Sequence, residues 1–146
     1  MKFIGIENFI DMFDDKVFWT STRNTLIYGF GSTILQNIFG LSAALFLNKL
    51  FKGRNGVRVI LYMPIMISGF IMGQILRFFV DLENGVFNEM LGWIGVDPVY
   101  WMETGLTSAL VITFANSWQY MGLCMLIYLA GLQNIPTMYK EAARLD

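Results

Sequence analysis

The chain has 146 residues, of which 55% are hydrophobic and 14% are charged, whereas an average soluble domain has about 25% charged residues. With a net charge of −1 and no overall basic excess, it offers nucleic acid no general attraction, and nucleic acid is excluded as an expected partner. One cysteine, Cys124, and no histidine leave a zinc or thiol site almost without ligands, so no metal or cofactor is expected.

Residues 1–23 are predicted to form an external amphipathic segment. Acidic residues occupy its polar face, which does not favour binding to anionic lipid. We therefore expect the apolar face to pack against the outer ends of neighbouring spans. The apolar residues that recur at helical spacing, over about three turns, are Ile6, Phe9, Ile10, Phe13 and Val17.

Three later stretches are predicted to cross a membrane, because each is mainly apolar and exceeds the roughly 20 residues that a spanning helix needs. They are residues 24–48, 57–80 and 106–132. Between them lie a basic loop, 49–56, and an acidic loop, 81–105, which is predicted to contain a short helix and to be anchored at the headgroups by Trp93, Tyr100 and Trp101.

The charges of the loops predict an orientation. The first loop and its flanks carry only basic residues, whereas the second has five acidic residues and no basic one. The positive-inside rule puts loop 49–56 in the cytoplasm and loop 81–105 outside. The N-terminal segment is then outside, and residues 133–146 are cytoplasmic.

The second span contains residues that favour a bend and close helix packing. Pro64 lacks an amide hydrogen, so a kink is expected near Tyr62–Ile65, either as a fixed bend or as a gating element. Gly69 and Gly73 form a GxxxG pattern that permits close helix contact in lipid. In the first span, Gly40 and Ala44 form a similar pair of small residues.

Polar side chains within the spans indicate contacts that hydrocarbon cannot supply. Asn116, Gln119 and Tyr120 share one face of the third span, so this face is expected to look into the bundle or a wet cavity. Amides and an aromatic ring suit sugar hydroxyls and predict a substrate pathway, but the same groups can bond neighbouring helices. Gln36 and Asn37 in the first span admit the same two interpretations.

A pair of opposite charges lies at the outer end of the second span. Arg77 and Asp81 are four residues apart, the spacing that brings side chains together on one helical face. We favour a structural ion pair over a role in substrate binding.

The last residues, Glu141-Ala142-Ala143-Arg144-Leu145-Asp146, follow a turn marked by Pro136. They end a series of segments whose order and spacing together are specific. In chain order these are GIENF, RNTLIYGF, ALFLNKLFKGRNGVRVILYMPIMIS, GVFNEMLGWIGV and LAGLQNIPTMYKEAARLD. The chain resembles the permeases of carbohydrate-type ABC importers along essentially its whole length. The resemblance implies an all-α membrane protein with three transmembrane helices and interfacial helices, as part of the MetI-like bundle of these permeases.

The same resemblance implies the partners of the chain. They are cytoplasmic ABC ATPase subunits, a second permease subunit, a periplasmic or lipid-anchored solute-binding protein, and membrane lipid. It also implies that Glu141, Ala142, Ala143 and Asp146 begin the coupling segment 133–146, which fits a groove on the ATPase. Relative to the family, we expect one upstream span and the spans after the coupling segment to be missing.

The predicted function is that of a multi-pass permease subunit of the inner cell membrane, which carries a sugar, polyol or glycerol phosphate. A phosphate-cradling glycine-rich loop with a following Lys-Ser/Thr is absent from the sequence, so ATP is expected to bind a separate subunit. An intramembrane enzyme is disfavoured because no histidine is present and no acidic residue lies in a predicted span. The alternative is a truncated or non-transporting scaffold that only packs with partner subunits.

Overall fold

The structure of the protein is a computed structural model, which describes residues 6–136 and residue 138. Within these residues the chain is helical and contains no β-strand, which confirms the predicted all-α fold. The helices in chain order are α1 (Glu7–Asp14), α2 (Lys16–Asn48), α3 (Arg54–Tyr62), a 3₁₀ helix (Met63–Met66), α4 (Gly69–Phe79), α5 (Val86–Trp93) and α6 (Gly105–Gln133).

Two of these helices, α2 and α6, are each long and apolar enough to cross a membrane, with 33 and 29 residues. At about 1.5 Å per residue, both exceed the roughly 30 Å hydrocarbon core. The second predicted span meets the same test only as a bent pair of helices. The three predicted spans therefore correspond to two continuous helices and one broken pair.

The helix that contains the first predicted span, 24–48, begins before it, at Lys16. Asp15 separates it from α1, because its backbone is extended and its Oδ1 accepts a hydrogen bond from the amide of Val17 at 2.8 Å. This acceptor satisfies an amide that has no partner within the helix. α1 therefore ends at Asp14, and Val17, which the sequence assigned to the first amphipathic helix, lies in α2.

The apolar face of α1 is largely exposed in the described chain, but it contacts the start of α2. Ile6, Phe9, Ile10 and Phe13 are each more than half exposed. The ring centroid of Phe13 lies 5.7 Å from that of Phe18 and 6.0 Å from that of Trp19. A hydrogen bond joins the same two helices: Trp19 Nε1 donates to the carbonyl of Phe13 at 2.8 Å. Packing of the rest of this face against neighbouring spans stays a prediction.

The second predicted span is broken beyond its proline. The helical stretches Arg54–Met66 and Gly69–Phe79 are bent by 99° from each other. Pro64 lies just after α3, and without an amide hydrogen it cannot continue the helical bonds that end with the bond from the amide of Met63 to the carbonyl of Val59. The helix changes from α to 3₁₀ at Met63–Met66, within the region where the kink was predicted, and the 99° bend follows directly after Met66.

The bend lies at Ile67 and Ser68. Ile67 has an extended backbone, with φ −77° and ψ 128°, and its amide donates to the carbonyl of Pro64 at 3.2 Å. Ser68 then opens α4: its Oγ accepts from the amide of Ile71 at 3.4 Å, and its carbonyl accepts from Met72 at 2.9 Å. Ser68 therefore caps the N-terminus of α4, the second helix of this apolar segment.

The last span and the short outer helix lie close to where the sequence predicts them. α6 begins at Gly105, one residue before the predicted span, because the hydroxyl of Thr104 accepts from the amide of Thr107 at 3.2 Å. The hydroxyl of Thr107 accepts from the amide of Thr104 at the same distance, which completes a reciprocal cap. The short helix expected in the acidic loop is α5.

The chain divides into two compact units. Unit 1 consists of the residues up to Ser32 together with Arg77–Thr113, and unit 2 consists of Thr33–Leu76 together with the residues from Phe114 onward. The core of unit 2 is apolar and joins α2 to α6. Its buried members are Ala44, Leu47, Met125 and Leu129.

Gly40 brings the two long helices of unit 2 together, as the Gly40–Ala44 pair predicts. A Cβ atom on Gly40 would lie 2.5 Å from the Cβ of Cys124 and 3.0 Å from the amide nitrogen of Met125. Small residues permit such an approach in a bundle, where van der Waals packing drives helix association.

Unit 1 is organised around the buried side chain of Asn88 in α5. Its Oδ1 accepts hydrogen bonds from the amide of Val99 at 3.0 Å and from the indole of Trp101 at 2.9 Å. Its Nδ2 donates to three backbone carbonyls, those of Asp81, Leu82 and Val99, at 3.1–3.3 Å. This single amide therefore joins both ends of the outer loop to the helix between them.

The ion pair predicted between Arg77 and Asp81 is absent from the described residues. Asp81 lies beyond the end of α4, and its Oδ1 accepts from the amides of Glu83 at 3.1 Å and Asn84 at 3.0 Å. The carboxylate thus closes a local turn, as Asp side chains often do, instead of pairing along a helix.

Candidate functional site

The polar face predicted on α6 lies in unit 2, and its three members have different surroundings. Asn116 and Gln119 are each hydrogen-bonded to a neighbouring element, and Gln119 is only 5% exposed. Tyr120 is 38% exposed, and its hydroxyl has no hydrogen bond among the described residues. The face predicted as one group is therefore divided between bonded amides and an open tyrosine.

Asn116 forms a direct amide pair with α2. Gln36 Nε2 donates to Asn116 Oδ1 at 2.8 Å, and both side chains are partly buried. A second polar pair joins the same helices, in which the hydroxyl of Tyr128 donates to Asn37 Oδ1 at 2.5 Å. Polar pairs of this kind join transmembrane helices at about 1 kcal/mol each.

Gln119 bonds the backbone at the bend of the second span. Its Nε2 donates to the carbonyl of Ile67 at 2.8 Å. One turn further along α6, Gly122 is buried against the helix before the bend, and a Cβ there would overlap the carbonyl of Leu61. This face of α6 thus holds the second span by one hydrogen bond and one close backbone contact.

The residues predicted to shape the second span differ in burial. Pro64 is buried in unit 2. Gly69 and Gly73 are exposed, and a Cβ on either would meet no described atom within 4 Å. Within the described residues the GxxxG pattern is therefore open, whereas the close glycine contact in this segment is made to Gly122, which sequence reasoning missed.

A shallow cavity of about 310 Å³ lies in unit 1, at the start of α6. Asn24, Thr25, Tyr28 and Ser108 supply its polar lining, and Ala109 and Ile112 are among its apolar lining. The Oδ1 of Asn24 is buried without a hydrogen-bond partner among the described residues. Sequence reasoning did not single out these residues, because scattered hydroxyls and one amide near helix starts carry no motif.

The coupling residues Glu141, Ala142, Ala143 and Asp146 lie outside the described residues. Within the part that the structure describes, no three His, Cys, Asp or Glu side chains come together as a metal site.

Comparison with known proteins identifies the family. Residues 36–146 match the family model described as the binding-protein-dependent transport system inner membrane component. The match covers α6, the broken span and the terminal EAA segment.

Individual relatives match almost the whole chain. The trehalose/maltose transport system permease protein MalF of Thermococcus litoralis is 35% identical over 144 residues, which are 99% of this chain and 49% of the relative. The arabinooligosaccharides transport system permease protein AraP of Bacillus subtilis is 35% identical over 148 residues, which cover 100% of this chain and 47% of the relative. The chain thus spans about half the length of the curated relatives it matches.

Solved structures match the fold. The chain resembles a subunit of a bacterial ABC transporter involved in the import of the acidic polysaccharide alginate, with a TM-score of 0.86 and 30% identity over 100% of this chain and 52% of the other. A structure of the bacterial alginate transporter in complex with an alginate pentasaccharide-bound periplasmic protein matches with a TM-score of 0.82, 28% identity and 98% coverage of this chain, against 50% of the other. Sequence, fold and span pattern agree, and the chain belongs to the family of inner-membrane components of binding-protein-dependent transport systems.

Proposed function

We propose that this chain forms part of the transmembrane pathway of an ABC importer for a sugar, an oligosaccharide or a related polyol or glycerol phosphate. The observation that carries the proposal is the match of nearly the entire chain to permeases named for trehalose and maltose and for arabinooligosaccharides. The neutral polar groups on α6 support it, because hydroxyl-rich solutes need hydrogen bonds and aromatic contact rather than charge.

Tyr120 is the proposed solute contact on α6. Its ring is partly open, and its hydroxyl is free among the described residues, whereas Asn116 and Gln119 already have partners. A ring that stacks on a sugar face and a hydroxyl that bonds a sugar hydroxyl together give affinity without a charged group.

Removal of this hydroxyl is expected to weaken solute affinity. In Tyr120→Phe the ring remains and one hydrogen bond of about 1 kcal/mol is lost, so the KM for uptake should rise about fivefold with little change in maximal rate. The measurement is uptake of radiolabelled malto-oligosaccharide or trehalose by the assembled transporter in proteoliposomes. The control is Trp118→Phe, which alters another exposed aromatic side chain two residues away. An equal KM in both variants would remove Tyr120 from the pathway.

We further propose that the energy for transport comes from separate ATPase subunits that bind the segment from Glu141 to Asp146. The family match includes this segment, and its charged and small residues suit a helix that docks in a groove. A second permease subunit, a periplasmic or lipid-anchored binding protein and the surrounding lipid complete the assembly. The charge asymmetry of the loops supports a cytoplasmic location for the segment and an external N-terminal segment.

Charge reversal in this segment tests the coupling. Glu141→Arg is expected to weaken retention of the ATPase about tenfold, because it replaces an attractive charge by a repulsive one at the proposed interface. Co-purification of the ATPase with the tagged membrane complex measures the effect, and Lys140→Arg, which keeps the neighbouring charge, is the control.

Two outcomes would count against the proposal in different ways. Full ATPase retention and full transport in Glu141→Arg would contradict the coupling assignment. An assembled complex that retains the ATPase but moves none of the sugars would favour the alternative, a scaffold that packs with partners without forming the pathway.

A further inference from the structure

The bend in the second membrane segment requires something to hold it. Between the helices Arg54–Met66 and Gly69–Phe79 the chain turns by 99°. The carbonyls of the last helical turn before such a break have no amide four residues further on in the same helix. In the apolar interior of a membrane protein an unpaired carbonyl is costly, so these groups need partners from elsewhere.

The helices before and after the bend are packed to different extents in unit 2. Pro64 is buried, and Gly122 lies against the backbone of Leu61. After the bend, Met72 is the buried residue of α4, and Gly69 and Gly73 face open space.

The side chain of Gln119 reaches the bend itself. Gln119 Nε2 donates to the carbonyl of Ile67, the extended residue at the bend, at 2.8 Å. Gln119 is 5% exposed, so this hydrogen bond is shielded from water and is correspondingly directional.

We infer that Gln119 is a positioning residue, which holds the bend of the second membrane segment by donating its side-chain amide to the carbonyl of Ile67. The bond fixes the orientation of the peptide plane at which the chain leaves one helix direction for the other. It also uses the polar group of Gln119, which gives this side chain a role separate from that of Tyr120. The hydrogen bond shapes this segment whatever solute is transported.

The distance across the bend tests the inference directly. Spin labels on cysteines at Ile60 and Ile75, both exposed and in unit 2, report it in a Cys124→Ala background in lipid bilayers. From the helical rise, the two backbone sites are about 14 Å apart across the bend and about 22 Å apart in a straight helix. Gln119→Met keeps the length of the side chain and removes its donor, so a broader distribution that extends to longer distances is expected.

The matched control is Asn116→Leu. It removes another side-chain hydrogen bond from the same face of α6, the one to Gln36, but it does not touch the bend. A general loss of stability would affect both variants, whereas loss of the bend is expected only in Gln119→Met. An unchanged distribution in Gln119→Met, or the same broadening in both variants, would overturn the inference.

A second measurement uses the unsubstituted protein and therefore does not depend on the folding of a variant. Ile67–Ser68 is the only Ile-Ser pair in the sequence, so carbon-13 in the isoleucine carbonyl and nitrogen-15 in the serine amide select a single peptide group for solid-state NMR. The carbonyl shift of Ile67 in the unsubstituted, membrane-embedded chain is expected at the value of a hydrogen-bonded group. A shift typical of a free carbonyl would overturn the inference without any mutant.

Discussion

Asn88→Leu is expected to release the outer loop from α5 and to lower the free energy of unfolding of this region by about 3 kcal/mol. The substitution removes the single amide that bonds the backbone on both sides of the helix, at Asp81 and Leu82 and again at Val99. It also leaves the indole of Trp101 without its acceptor. Buried polar groups that lose their partners cost about 1–3 kcal/mol each, less where water can enter.

The change should appear locally as well as in global stability. Hydrogen–deuterium exchange of peptides that cover residues 81–104 is expected to accelerate in Asn88→Leu, because these backbone amides lose their anchor. Asn84→Ala is the matched control, since it substitutes the same residue type in the same loop at an exposed side chain without a described hydrogen bond. Equal exchange in the two variants would mean that the contacts of Asn88 do not hold the loop.

The loop also illustrates what the sequence could and could not predict. Turn signals around α5 and the apolar residues within Val86–Trp93 predicted the helix correctly. The function of Asn88 was missed, although its amide lies in a mostly apolar segment. Its partners are mostly backbone groups, which are the same at nearly every residue and leave no pattern in the sequence. The network could therefore be recognised only in the structure.

The helices of the three predicted spans were likewise predicted only in part. A long stretch without charges predicted α6 to within one residue at each end. Its start is also marked by a threonine cap. The same criterion could not give the start of the helix α2, which precedes the predicted span, since charged residues such as Arg23 end an apolar run without ending a helix. In the second span, Pro64 attracted the prediction, whereas Ser68 followed by Gly69 was the signal of a new helix.

For the candidate site, the sequence identified polar residues that hydrocarbon would not tolerate, but it could not assign their partners. Gln36 and Asn116 pair across two helices that are far apart in sequence, and the carbonyl of Ile67 becomes available to Gln119 only because the chain bends there. Residue type therefore predicted that these groups are satisfied inside the bundle. Tertiary structure decides which of them remains without a partner among the described residues.

Gly122→Ala is expected to destabilise the protein by about 1–3 kcal/mol, the usual cost of overpacking, even though alanine is the better helix former. The added Cβ would overlap the carbonyl of Leu61 and lie 2.7 Å from the Cα of Tyr62. Both are backbone atoms of the neighbouring helix, so no side-chain rotation relieves the contact, and α3 must move away from α6.

Gly131→Ala is the matched control, because it makes the same substitution in the same helix where an added Cβ meets nothing within 4 Å. Here the helix propensity of alanine acts alone and should raise stability by up to about 1 kcal/mol. The two variants are therefore expected to shift the thermal unfolding midpoint of the purified protein in opposite directions. If both raised it, α3 and α6 would not approach each other as closely as the structure describes, and the contact that fixes the helix before the bend would have to lie elsewhere.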